Sequence, residues 1–120
     1  PGTEDVYSTV PHRTFTAVES EAGSAALMSR GLYEVEVRPG ASGSTILLTL
    51  LRCVGWLSRS DLKMRRGGAG PELQTPGAQE IGEHRFEFAM ASYSGGYLEA
   101  GLIPRAAAYA FPPVRRARHR

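Results

Sequence analysis

The sequence is poor in the residues that small domains use as covalent or metal cross-links. It contains one cysteine, Cys53, so no disulfide can form within the chain and nothing indicates an oxidising compartment. Because Cys53 ends an apolar run, we expect a small buried residue there and not a reactive thiol. The three histidines, His12, His84 and His119, are scattered, whereas zinc sites use closely spaced ligands. We therefore expect this chain to make no metal site of its own.

Long apolar runs are also absent. The longest, residues 46–51, is far too short to cross a bilayer. The first ten residues have neither the basic segment nor the apolar segment of a signal peptide. We expect no membrane partner, and the cytoplasm is the favoured location. A first residue of proline instead of methionine suggests a cut or processed chain.

Positive charge is scarce outside the end of the chain. The formal net charge is +2, and four arginines lie within the last six residues: Arg115, Arg116, Arg118 and Arg120. This basic tail, residues 114–120, could contact phosphates, but it has no interleaved aromatic side chains on which bases could stack. We expect a solvated terminus and no nucleic-acid partner.

What the sequence does have is glycine, proline and alternating apolar residues. The 14 glycines and 8 prolines predict many turns. Alternation of β-branched and aromatic residues with polar ones predicts strands at 13–18, 24–29, 32–38, 45–54 and 84–91. Residues 97–111 predict a short helix that Pro104 interrupts. The expected fold is all-β, an antiparallel sandwich or partial sandwich with one long loop and a short C-terminal helix. A loose lead-in over 1–12 precedes a domain over 13–113, and the basic tail follows. Within the domain, the composition of residues 39–44 predicts a loop.

The segment 45–54 is the strongest predicted strand, and it is apolar on both faces. Ile46, Leu48 and Leu50 would point one way. Leu47 and Leu51 would point the other way, with a threonine between them. Such a strand needs cover on both sides, which implies a central position in its sheet or a second domain lying across it. This pattern favours a part of a larger protein.

Acidic side chains offer no marked catalytic pair. Glycosidases need two carboxylates held at a set separation. The candidates are Asp61, Glu80, Glu83 and Glu87, and none is marked as buried, so surface or ion-paired roles are expected.

The long loop 55–82 carries basic side chains beside glycines, at Arg59, Lys63, Arg65 and Arg66, next to Gly-Gly-Ala-Gly at 67–70. A guanidinium can bind carboxylates or sugar hydroxyls, and glycine lets a ligand approach the backbone. The other interpretation is that these arginines pair with local acids or dock on another domain.

Several segments together resemble a known family. They are T-L-L-R-C-V-G-W-L-S-R at 49–59, D-L at 61–62, R-R-G-G-A-G-P at 65–71, T-P-G-A-Q at 75–79 and G-E-H-R-F-E-F-A at 82–89. In this order they resemble the C-terminal β-sandwich region of bacterial α-mannosidases of glycoside hydrolase family 38, over roughly residues 13–113. The chain departs from the family at Gly96 and Tyr97, near which members often have an Asp-Trp pair. Without that aspartate, the predicted helix lacks a favourable N-cap.

The resemblance implies a parent enzyme that removes α-linked mannose with retention of configuration. The family's catalytic carboxylates and zinc ligands lie in segments that this chain does not contain. No catalytic or metal-binding residue is therefore expected here, and zinc is expected in the parent's catalytic domain. The implied partners are the N-terminal catalytic domain of the same polypeptide and, through it, an α-mannoside. A loop of this region can reach the sugar pocket, which makes Arg65 and Arg66 the candidate substrate-binding residues.

Two other functions remain open at this point. A free-standing carbohydrate-binding module would need an exposed aromatic platform, for which Trp56, Tyr93 and Tyr97 are the candidates. A purely structural interaction domain would expose apolar surface over 45–54 and would tend to form a homodimer.

Overall fold

The computed structural model describes residues 8–63, 65 and 67–113, and within them six strands form two antiparallel sheets. The strands are β1 (Thr9–Pro11), β2 (Phe15–Ser20), β3 (Gly23–Arg30), β4 (Glu34–Gly40), β5 (Gly43–Leu48) and β6 (Glu87–Tyr93). A short 3-10 helix spans Pro76–Gln79, and the helix α1 spans Leu102–Ala110. The strand orders are β1-β4-β5 and β2-β3-β6. The predicted fold class, an all-β partial sandwich with a short C-terminal helix, is confirmed.

The two sheets are halves of one ladder that bends at a corner. Both β1–β2 and β3–β4 run from one sheet directly into the other. Pairing continues through the corner, because the His12 amide donates to Tyr33 O (2.8 Å) and the Ser29 amide donates to Thr14 O (3.3 Å). Gly31 lies at this bend with a φ of 70°, a conformation that favours glycine. The sheet therefore folds back on itself, and the inner faces of its halves approach each other.

Strand register decides which side chains occupy the space between the halves. Directly paired residues share a face, and the pairs Leu27–Met90 and Val35–Leu48 lie on the two inner faces. Leu27 and Val35, on the middle strands β3 and β4, are buried. Met90, on the edge strand β6, is 72% exposed. The space is therefore filled between the middle strands and open along the edge strands.

The helix α1 covers the other face of the second sheet. It packs on β3 and buries Leu102 and Ala106, while Met28 on β3 is also buried. The Arg30 Nε atom donates to Tyr109 O (2.6 Å), and its guanidinium lies 4.7 Å from the centroid of the Tyr109 ring. A buried core therefore lies between α1 and the second sheet.

Three predictions about the strands are wrong. The lead-in is not loose throughout, since Thr9–Pro11 form β1, while residues 1–7 and the tail 114–120 lie outside the described residues. The predicted loop at 39–44 is a tight turn at Ala41 and Ser42, because the strands continue on both sides. The strand predicted over 45–54 is too long, because β5 spans Gly43–Leu48. In the described sheet β5 lies at an edge, so of the two interpretations offered for its apolar faces, cover by a second domain is the one that stays open.

Two further local predictions are also corrected. Cys53 is exposed, because the chain leaves the sheet after Leu48 and no element of the described structure covers the following residues. Pro104 does not interrupt the helix. It lies in the first turn of α1, where a missing amide hydrogen removes no intrahelical bond. The helix begins at Leu102, with Gly101 as its N-cap.

The chain exposes more surface than its mass requires. Its accessible surface is 9807 Å², whereas a compact monomer of 13.0 kDa exposes about 6,300 Å². Its radius of gyration is 19.0 Å, against roughly 14 Å for a compact chain of 120 residues. Among the described residues, several large apolar side chains are exposed, including those of Leu50, Phe88 and Met90.

None of the helices in the described residues is long and apolar enough to span a membrane.

Candidate functional site

An apolar opening lies between the two halves of the sheet and is here called the apolar mouth. It encloses a cavity of about 240 Å³ that is lined by Leu27, Ile46, Leu48, Leu50, Phe88 and Met90. A second cavity of about 350 Å³ shares Ile46 and Met90 with it and extends toward the turns at the far end of the strands. The opening therefore continues along both edge strands, β5 and β6.

The apolar mouth is energetically unfavourable while it faces water. Phe88 is 51% exposed and Met90 is 72% exposed, and Leu50 beside them is also exposed. Full burial of one such side chain contributes about 1.5–3 kcal/mol. Contiguous exposed apolar surface of this kind marks interaction sites in soluble proteins. Its position between two inner faces suits an occupant that completes the sandwich.

The insert, residues 50–86, connects β5 to β6 and has a hydrogen-bonded base. The Leu57 amide donates to Leu73 O (2.8 Å), and the Thr75 amide donates to Gly55 O (3.0 Å). Trp56 forms an antiparallel bridge with Gln74 between these bonds. The long loop is thus a short ribbon with an irregular tip, which fits the prediction of a loop over 55–82.

A polar cavity of about 190 Å³ lies on this ribbon. It is lined by Trp56, Arg59, Ser60, Asp61 and Glu72. Glu72 Oε1 accepts hydrogen bonds from the amide (3.0 Å) and the hydroxyl (2.6 Å) of Ser60. The Arg59 guanidinium donates two hydrogen bonds to Asp61, which hold the pKa of that carboxyl below its usual range. Asp61 therefore stays ionised and does not suit the role of a proton donor.

Arg65, one of the two predicted substrate-binding arginines, lies toward the tip of the insert. Arg65 is half-buried, and its amide donates to Leu62 O at 3.4 Å. The glycine-rich segment after it is anchored where the Ala69 amide donates to Ser58 Oγ (3.1 Å). Arg66 lies outside the described residues. The contact of Arg59 with Asp61 supports the interpretation that Arg59 pairs with a local acid.

The predicted carboxylate candidates are not gathered into one site. Glu87 accepts a hydrogen bond from Arg30 (2.6 Å), and Asp61 is paired in the insert. Glu80 and Glu83 are exposed. Across the described parts of the chain, no group of three histidine, cysteine, aspartate or glutamate side chains could hold a metal ion.

The candidate aromatic platform is divided between two places. Tyr93 Oη donates to Glu19 Oε1 (3.0 Å), and the Tyr97 amide donates to the same oxygen (2.7 Å). Burial, together with the Glu19 carboxylate, raises the pKa of Tyr93. Tyr97 also lies 6.1 Å from the Phe15 ring. Trp56 is instead part of the insert.

A buried polar cluster at the corner has no counterpart among the predictions. His12 is buried, and its ring nitrogens contact Thr16 Oγ1 (2.7 Å) and Ser29 Oγ (2.9 Å). Ser29 gives its hydroxyl proton to Leu32 O (3.0 Å), so His12 Nε2 must carry the proton of a neutral ring and Nδ1 must accept from Thr16. Burial lowers the pKa of His12. No motif in the sequence indicates this cluster, because its members meet only at the bend.

No family model, no curated protein and no solved structure matches the chain. The apolar mouth, the insert and the motifs quoted above are therefore the features from which a function can be inferred.

Proposed function

We propose that this chain is an accessory C-terminal domain of a glycoside hydrolase that resembles the family 38 α-mannosidases. In this proposal the domain packs on the catalytic domain of the same polypeptide, which hydrolyses α-linked mannosides and holds zinc. The chain itself supplies no catalytic residue. Its function is to complete the packing of the enzyme and to shape the rim of the sugar pocket.

The apolar mouth is the observation that carries the proposal. Two inner sheet faces are apolar, and along β5 and β6 the described residues cover them only in part, since Ile46 and Leu48 are half-buried while Phe88 and Met90 are exposed. A domain that folds to function alone would normally close such a space, because packed interiors leave few voids. A neighbouring domain that inserts side chains between Leu48 and Phe88 would supply the missing layer.

The tip of the insert supports the second part of the proposal. Arg65 is followed by a glycine-rich turn in which Gly67 has a φ of 88°, so the backbone there can approach a ligand closely. A guanidinium donates in-plane hydrogen bonds that suit vicinal hydroxyls. We assign Arg65, and Arg66 beside it, to contacts with the substrate at the rim of the pocket.

A cytoplasmic setting is part of the proposal. The chain has one cysteine, Cys53, and it is exposed as a free thiol. Reducing compartments keep such thiols reduced, whereas oxidising ones tend to pair them.

The proposal is tested first by hydrolysis of a chromogenic α-mannoside in the presence of zinc. The isolated chain and the full-length polypeptide are assayed side by side, and activity is expected only in the full-length protein. Arg65→Ala in that protein is expected to lower kcat/KM by about tenfold. Arg85→Ala, at a strongly exposed position, is the matched control and should have no effect. Hydrolysis by the isolated chain would contradict the proposal.

Packing of the catalytic domain is tested separately by Met90→Asp in the full-length protein. A charge in the apolar mouth should lower the thermal midpoint and speed proteolysis between the domains. Ile81→Asp is the control: Ile81 (95% exposed) is an exposed apolar residue like Met90, and it lies in the insert and not in the apolar mouth. Equal effects of the two changes would show that the apolar mouth is not the packing surface.

A second candidate function rests on the polar cavity of the insert. An aromatic ring beside paired polar groups is a general arrangement for sugar recognition, and Trp56 lies beside Glu72 in a cavity that admits a small ligand. Titration of the isolated chain with methyl α-mannoside, followed by the fluorescence of Trp56, tests this function. A saturable change in fluorescence would support a free-standing carbohydrate-binding module. In that case Trp56→Phe and Glu72→Gln should each abolish the binding of the sugar, which equilibrium dialysis measures without a fluorophore.

A further inference from the structure

The outer edge of β5 carries a row of backbone groups that no strand of the described residues pairs with. Within the described residues, β5 pairs with β4 alone. The Thr49 amide, just beyond β5, donates to Glu34 O (3.0 Å), so residue 49 points its backbone groups toward β4. Because these directions alternate in an antiparallel ladder, Leu47 and Thr45 also point toward β4. Ser44, Ile46 and Leu48 therefore point their N–H and C=O groups outward.

This edge has none of the usual protection against pairing with another strand. Residues 44–51 read S-T-I-L-L-T-L-L, without charge, proline or glycine. Native proteins normally protect an edge strand with lysine, proline or a bulge, or cover it. A segment with high β-propensity and no charge pairs readily when its edge is exposed. The edge of β5 is therefore suited to accept a strand.

The strand is complementary to a second copy of itself. An antiparallel pair centred on Ile46 places Ile46 opposite Ile46 of the other copy, and Ser44 opposite Leu48 of the other copy. These are the three residues whose backbone groups point outward, so every outward N–H and C=O among them finds a partner. The strand has no charge, so no like charges are brought opposite each other.

The symmetry of this pairing also joins the apolar surfaces. Ser44, Ile46 and Leu48 occur at every second position, so their side chains share one face. A two-fold axis through Ile46 places that face of both copies on the same side, which extends the apolar floor of each mouth.

We propose that the free chain forms a symmetric homodimer through antiparallel pairing of β5 with β5 of a second copy, centred on Ile46. The two three-stranded sheets β1-β4-β5 then join into one continuous six-stranded sheet. The proposal concerns this chain alone and does not rest on its assignment to a glycoside hydrolase.

The first measurement is the mass of the chain in solution by light scattering after size exclusion. A species of twice 13.0 kDa is expected at micromolar concentration. Ile46→Lys and Ile46→Glu are each expected to weaken the dimer by about tenfold or more, since each places like charges directly opposite one another. An equimolar mixture of the two variants should restore the dimer. Native mass spectrometry of that mixture should show the heterodimer, with one chain of each variant, in excess over either homodimer.

A backbone variant separates loss of pairing from loss of folding. Ser44→Pro removes an outward N–H and leaves the β4–β5 hydrogen bonds in place, so it should give a monomer with an unchanged far-ultraviolet spectrum. A wild-type chain that is still monomeric at 100 µM would overturn the proposal. We take a dissociation constant of about 100 µM as the weakest that a specific dimer would have. Failure of the lysine and glutamate variants to recombine would overturn the register centred on Ile46 and with it the proposal.

Discussion

Replacing His12 with alanine is expected to destabilise the fold by about 2–4 kcal/mol. His12 lies at the corner where the ladder bends, buried at 2% exposure. Its ring contacts Thr16 on β2 and Ser29 on β3. His12, which directly follows β1, is therefore the side chain that links the corner of the ladder to both β2 and β3.

The magnitude follows from the contacts. Each of the two ring hydrogen bonds is worth about 1 kcal/mol net, and the cavity left by a buried ring adds a similar or larger amount. In a double-mutant cycle, His12→Ala and Ser29→Ala should show a coupling of about 0.5–1.5 kcal/mol, because they share one hydrogen bond. Thr16→Val should cost less, since Thr16 is only half-buried.

The stability should also depend on pH through the same ring. Burial lowers the pKa of His12 in the folded state, so the folded protein binds fewer protons than the unfolded chain. The contribution of the neutral His12 ring to stability is fully present above about 6.5, the pKa of histidine in the unfolded chain. It is lost as the pH falls below that value toward the lowered pKa of His12 in the folded protein. Wild-type stability should therefore fall between pH 7.5 and pH 5, and His12→Ala should remove part of that fall.

Urea unfolding followed by far-ultraviolet circular dichroism at both pH values measures these effects. His84→Ala is the control, because His84 is exposed and makes its hydrogen bond to Glu80 O (2.6 Å) away from the sheets. A loss below about 0.5 kcal/mol for His12→Ala would refute the reasoning, as would an unchanged pH dependence, since surface substitutions typically stay within that range.

Three further changes probe other parts of the fold. Gly31→Ala should destabilise the fold by about 1–2 kcal/mol. Because nothing lies within 4 Å of an added Cβ, the whole loss would come from backbone strain at a φ of 70°. Equal thermal midpoints of the variant and the wild type would contradict this strain. Leu102→Ala should cost about 2–4 kcal/mol in urea unfolding, because Leu102, on the buried side of α1, is fully buried, whereas Ile103→Ala, at an exposed position of the same helix, should cost little. Cys53 should react stoichiometrically with a thiol reagent without denaturant, and slow reaction would place it in a covered position.

The strands were predictable because their side-chain alternation is local. Val35 and Val37 on one face and Glu34 and Glu36 on the other predicted β4 correctly, and the burial of Val35 follows from that pattern. The insert was predictable from its glycine, proline and charge content. The sequence also showed that basic side chains lie beside glycines around Arg65. It did not show that Arg59 pairs with Asp61.

The errors come from features that depend on distant contacts. The apolar residues after Leu48 predicted a longer strand, but a strand needs a partner, and β4 supplies none beyond the corner. Cys53 was predicted to be buried for the same reason, since apolar neighbours do not bury a residue unless a second layer covers them. Pro104 was predicted to interrupt the helix because the helix start was placed at residue 97. The start at Leu102, where α1 packs on β3, puts Pro104 in the first turn instead.

Composition and local periodicity were sufficient for the class of fold, the strand-forming segments and the absence of any intrachain disulfide. The bend at Gly31, the buried contacts of His12 and the position of β5 at an edge arise only in the folded chain. Each of these depends on which segments pair across long stretches of chain. The apolar mouth is of the same kind, since Leu27, Leu48 and Met90 come together only when the ladder folds back on itself.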